Sequence, residues 1–126
     1  MDENGGFREL VGIELFEAEE GRAEVRMRPG DRHLNPGGTV HGGAISTLVD
    51  VAMAEALNTT LDEEAERPVT VEMKVNYMAP AKPGVIVAAA RVRKGGKRVT
   101  VVEAEVVQKE GEEVVALATG TYTVVG

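Results

Sequence analysis

The chain has 126 residues, 43% of them hydrophobic and 28% charged, with a formal net charge of −7, 3% aromatic residues and no cysteine. This length buries a sizeable core as a single domain, residues 1–126, and the acidic balance with few aromatics argues against nucleic acid as a partner. The lack of cysteine excludes a disulfide, a thiolate zinc site and a cysteine nucleophile. The spacing of His33 and His41 is not that of a metal site. No apolar run is long enough to span a bilayer, and the acidic, polar residues 1–6 are unlike a signal peptide. A cytoplasmic protein without a membrane partner is expected.

In chain order, residues 7–11 read as a short helix whose apolar side chains form a small lid or packing patch. Ile13, Leu15 and Phe16 begin a first short strand. In residues 22–28, Ala23, Val25 and Met27 alternate with charged residues, a strand with one wet face, which Pro29, Gly30 and Asp31 end. The stretch from Asn35 to His41 is irregular, because Pro36 fixes φ while Gly37 and Gly38 permit any φ. From about Gly42 the pattern turns helical. Ala44, Ile45, Leu48, Val49, Ala52, Met53, Ala56 and Leu57 form one broad apolar face. Asp50 falls off that face, beside Gly43, Ser46, Thr47 and Ala54. It is either a solvated residue on a polar face or a carboxylate with room beside it for a ligand.

Residues 61–68 form an acidic connector, read as solvated. Val69, Val71, Met73, Val75 and Tyr77 alternate with polar residues as a second clean strand, broken by Pro80 and by Pro83 with Gly84. Residues 85–93 read as a strand with much of both faces covered. Lys94, Gly95, Gly96 and Lys97 read as a hairpin turn in which the glycine pair supplies φ > 0. Strands at 98–109 and 113–125 follow, separated by a turn at Glu110, Gly111 and Glu112. One helix among strands joined mostly by tight hairpins implies an antiparallel sheet of five or six strands packed on a single helix.

The pattern Asn-x-x-Gly-x-x-His-Gly-Gly over residues 35–43 is followed by Leu48-Val49-Asp50 in the helix and by Tyr77-Met78-Ala79-Pro80-Ala81 at a strand end. Over about residues 22–125 the chain resembles the hotdog-fold acyl-CoA thioesterases of the phenylacetic-acid-degradation type. The resemblance implies an α+β hotdog fold, its sheet wrapped around one long central helix. It implies hydrolysis of an acyl- or aryl-CoA to the free acid and coenzyme A, with no cofactor. It also implies a homodimer with shared active sites, often paired into a homotetramer. By the same resemblance Asp50 is the base or nucleophile, the Gly42 N–H polarises the carbonyl, and Asn35 helps to place water or substrate. Thr70 matches a hydroxyl residue that assists the carboxylate.

The residues are compatible with that chemistry. Thioester hydrolysis needs an attacking or water-activating group and donors aimed at the carbonyl oxygen. The unpaired N–H groups of a helix N-terminus supply donors, and Gly42 and Gly43 permit close approach of a thioester. Plainer roles stand beside these. The two glycines can serve packing alone, Asn35 can form an Asx-turn before Pro36, His41 can act on the helix end alone, and Thr70 is an ordinary strand residue. Lys82, Arg93, Lys94, Lys97 and Arg98 are cations in an acidic chain, suited to the phosphates of coenzyme A or simply solvated. Asp50 lies eight residues beyond Gly42, roughly 12 Å along a helix axis, whereas a reacting carbonyl must lie within about 3 Å of both groups. Two antiparallel copies of the helix close that gap. A non-catalytic acyl-CoA sensor is the alternative function, and a hotdog dehydratase or hydratase ranks below both because His41 lies outside its motif.

Overall fold

Helix α2 (Gly42–Asn58) is the axis on which the rest of the chain is laid. The computed structural model describes residues 6–62 and 64–126. Most of the polar N-terminal stretch, and Glu63 in the acidic connector, lie outside the described residues. The other elements are α1 (Phe7–Val11), β1 (Ile13–Glu19), β2 (Arg22–Met27), a 3-10 turn (Asp31–His33), β3 (Arg67–Tyr77), β4 (Ile86–Gly95), β5 (Thr100–Gln108) and β6 (Val114–Val125). The strands form one six-stranded sheet in the order β1-β2-β4-β5-β6-β3. Every pairing is antiparallel.

The predicted apolar helix face is buried from Ile45 to Leu57, and only Ala44 stays half-exposed. It packs on the inward face of the sheet. Register aligns Ala23, Ala90, Ala104 and Ala118 in one row across β2, β4, β5 and β6. Those short side chains let the helix approach closely, and longer ones beside them (Val25, Met27, Ile86, Val102, Val106) fill the flanks. Burying each such aliphatic side chain stabilises by about 1.5–3 kcal/mol. At the helix C-terminus Thr59 and Thr60 donate to the carbonyls of Ala56 and Leu57, each at 2.7 Å. The Thr59 hydroxyl accepts from the Gly21 N–H at 2.7 Å, tying this end of α2 to the β1–β2 turn. Among the described residues no helix is long and apolar enough to cross a membrane.

Two local expectations need correction. β3 is not a uniformly alternating strand. Its register with β6 slips between Thr70 and Glu72, so Val71 is an extra, bulged residue. Thr70 therefore faces inward with Met73, Val75 and Tyr77, while Val69 and Val71 are 40% and 58% exposed. The β4–β5 turn does not use its glycines for positive φ, since neither Gly95 nor Gly96 has it. Gly95 belongs to β4, and a Cβ on Gly96 would lie 2.9 Å from the Val99 carbonyl oxygen, so this turn needs close backbone approach.

Candidate active site

Asp50 is not a solvated residue on a polar helix face. Its Oδ1 accepts from the Thr70 hydroxyl at 2.7 Å and from the Tyr122 hydroxyl at 2.6 Å. Thr70 comes from β3 and Tyr122 from β6, where the two are cross-strand partners. Among the described residues no donor reaches Oδ2. Tyr122 is fully buried, and burial first, then its hydrogen bond to the Asp50 carboxylate, push its phenol well above the usual tyrosine range. Asp50 opens onto a cavity of about 370 Å³ shared with Ser46, Thr47, Met73 and two residues of α1, Phe7 and Arg8. The Arg8 guanidinium is held by Glu55 at 2.9 Å.

The helix N-terminus faces a different cavity. His41 is the N-cap, and its Nδ1 accepts from the Gly43 N–H at 2.8 Å. The neutral imidazole thus carries its proton on Nε2, and Gly43 no longer has a free donor. The Gly42 N–H has no acceptor among the described residues. Gly42 borders a largely apolar cavity of about 330 Å³ with Val40, Ile45, Tyr77 and Met78. The Tyr77 hydroxyl donates to the Gly42 carbonyl at 2.9 Å and also meets the Ser46 hydroxyl. A Cβ on Gly42 would sit 3.3 Å from the Tyr77 ring, so any side chain here needs that half-exposed ring to give by a few tenths of an ångström. Within one chain the carboxylate and the unpaired N–H therefore lie on separate cavities.

Asn35 lines neither cavity. Its N–H donates to the Thr39 carbonyl at 2.7 Å and its carbonyl accepts from Gly38 at 2.9 Å, closing the loop before α2. The cations do not form one cluster. Lys82 is held near the start of β4 by backbone hydrogen bonds to the Gln108 side chain at 3.0 and 3.1 Å. Arg93, Lys94, Lys97 and Arg98 lie around the β4–β5 hairpin, the far end of the same ten-residue strand, roughly 30 Å away. Arg93 shares Glu103 with Arg91, at 3.6 and 3.4 Å. A larger cavity, about 790 Å³, lies on the outer face of the sheet around Ala89, Arg91 and Glu105 and contains none of the predicted site residues.

Sequence reasoning missed Tyr122 and Tyr77 as site residues. A signal for the first existed. The chain has only two tyrosines, and a tyrosine at an inward position of an alternating strand must find a partner for its hydroxyl.

The family model described as the thioesterase superfamily matches residues 37–115. Human acyl-coenzyme A thioesterase 13 is 35% identical over 118 residues, 92% of this chain and 83% of that protein. An archaeal relative from Saccharolobus solfataricus is 32% identical over 94 residues, 75% of this chain and 61% of that one. Among solved structures, the conserved protein PA5202 from Pseudomonas aeruginosa superposes with a TM-score of 0.89 at 37% identity, covering 96% of this chain and 94% of that one. The Escherichia coli PaaI protein from the phenylacetic acid degradation operon superposes with a TM-score of 0.88 at 30% identity, covering 98% and 87%. With the six-stranded sheet wrapped on α2, these likenesses show that the chain belongs to the thioesterase superfamily, as a thioesterase of the hotdog fold.

Proposed function

We propose that this protein hydrolyses the thioester of an acyl- or aryl-CoA, with Asp50 as base or nucleophile and the Gly42 N–H as donor to the carbonyl oxygen. The observation that carries the reading is the Asp50 carboxylate, fixed by two hydroxyls through one oxygen at the wall of a cavity. A fixed carboxylate with one oxygen left over suits attack on a carbonyl or abstraction of a proton from water. The Gly42 N–H at the positive end of α2 suits the oxygen on which charge develops. The acyl-CoA substrate is supported by the name of the human relative, and an aryl-acetyl group by the operon of the Escherichia coli one.

Each site in this reading is assembled from two copies. The Gly42 and Asp50 cavities both adjoin β3, one beside Tyr77 and the other beside Met73. β3 is an edge strand, with Val71 and Tyr77, and Met78 just beyond it, more than half exposed. Antiparallel approach of two β3 edges would set the Thr70–Asp50 end of one protomer against the Tyr77–Gly42 end of the other. Lys82 at one end of the sheet, and Arg93, Lys94, Lys97 and Arg98 at the other, are the two cationic sets offered to the phosphates of coenzyme A in this reading. Asn35, His41 and Gly43 support this site by shaping the loop and the start of α2. An even homo-oligomer, a dimer or homotetramer, and a cytoplasmic location belong to the same proposal.

The test is release of free thiol from a panel of acyl-CoAs, acetyl to palmitoyl and phenylacetyl, by wild-type protein and Asp50→Asn. Turnover by the wild type and its loss in the variant support the reading. Tight binding without turnover by either protein would favour an acyl-CoA sensor.

A further inference from the structure

We propose that Tyr122 is a positioning residue for the reaction: with Thr70 it occupies Asp50 Oδ1 and so assigns the chemistry to Oδ2. The inference rests on the reading of Asp50 given above. An isolated carboxylate has two equivalent oxygens and can rotate. Here two hydroxyls from two different strands converge on the same oxygen, at 2.7 and 2.6 Å. The Tyr122 hydroxyl also lies 3.3 Å from the Asp50 main-chain carbonyl, so it contacts the residue at both ends. That arrangement fixes the side-chain torsions and leaves Oδ2 as the oxygen free of internal donors.

The surrounding sequence is shaped to admit this phenol. Tyr122 heads the fully buried side chains by size, in a strand whose preceding inward positions are the small Ala116, Ala118 and Gly120. A Cβ on Gly120 would lie 2.8 Å from the Tyr122 ring and 2.7 Å from Met53 Cε, so the backbone is bare where the ring passes. A buried phenol without an acceptor is costly, and the acceptor it has is the candidate catalytic group. Burial and the neighbouring carboxylate keep the phenol protonated well into the alkaline range, so it donates and does not itself exchange protons with substrate. Of the elements packed around Asp50, α1 presents one charged group, Arg8, which is paired with Glu55, while Thr70 and Met73 of β3 bring none.

A donor that holds one oxygen of the carboxylate acts on the reacting step and not on substrate binding, so its removal should show in kcat and not in KM. The experiment measures kcat and KM for wild type, Tyr122→Phe and Asp50→Asn, using the best substrate of the acyl-CoA panel. Tyr122→Phe should lower kcat about 10- to 100-fold with little change in KM. Wild-type kcat in a folded Tyr122→Phe, or an equal effect on KM, with Asp50→Asn inactive, would overturn the positioning role while leaving Asp50 catalytic. Full activity in Asp50→Asn would instead remove the reading on which the inference rests. Fluorotyrosines of graded fluorination placed at 122 keep the ring and vary the strength of the donor, so kcat should change along the series at constant KM. If Tyr122→Phe does not fold, this series decides, and a constant kcat overturns the role.

Discussion

The Thr70 hydroxyl reaches Asp50 Oδ1 at 2.7 Å because the bulge at Val71 turns it inward from the β3 edge. Bulges that re-aim a side chain beside a site recur across sheets. Thr70→Val keeps the shape and removes the donor, and should lower kcat about tenfold. Thr70→Ser should retain most of the activity. The comparison of kcat for the two variants checks it, and equal losses would mean that the hydroxyl is not what matters at this position.

Gly42 is constrained from two sides, by the Tyr77 ring 3.3 Å from where its Cβ would stand and by the need for an open N–H. Gly42→Ala should lower kcat with only a small drop in Tm, because the crowded neighbour is a half-exposed ring that can shift. Part of the loss should be recovered in Gly42→Ala/Tyr77→Leu relative to Tyr77→Leu alone, a coupling that a double-mutant cycle on kcat/KM measures.

The raised pKa of Tyr122 has a stability consequence with a definite sign. In the unfolded chain the phenol titrates near 10, and in the folded chain it titrates higher. The native state therefore holds its proton where the unfolded state has lost it. The associated stability is complete below about pH 10 and declines as pH rises above that value. Tm measured from pH 8 to 12 should fall more steeply for wild type than for Tyr122→Phe. Parallel curves would contradict the burial-driven shift.

The two cationic sets are predicted to act on one ligand. Lys82→Ala, and Lys97→Ala with Arg98→Ala, should each raise KM for acyl-CoA more than for the corresponding acyl-pantetheine, which lacks the nucleotide. Substrate kinetics on the two thioesters decide the matter, and equal effects on both would leave these residues as solvated charge.

The periodicities carried most of the fold. Alternation and the apolar stripe from Ile45 to Leu57 are direct consequences of which faces are buried, so helix, sheet and hairpins could be read from residues alone. The bulge in β3 could not, because Val69, Val71, Met73, Val75 and Tyr77 alternate perfectly in sequence and only pairing with β6 shows where the face switches. Asp50 was legible as a candidate. Its environment was not, since Tyr122 lies 72 residues away and reaches it only once β6 is in place. The cations were legible as two sets, Lys82 ahead of the strand at 85–93 and the others around the turn that follows it, but what each set faces was not.

The central claim is that the carboxylate and the oxyanion donor of each site come from different protomers, and complementation tests it most directly. Asp50→Ala and Gly42→Val proteins, each inactive alone, are dissociated, mixed in equal amounts and reassembled, and heterodimer formation is verified by differential tagging. Each heterodimer then carries one site with both wild-type groups and one with neither. Random pairing should restore roughly one-quarter of wild-type acyl-CoA hydrolysis. Verified heterodimers without activity would contradict the account, because each site would then be built within a single chain.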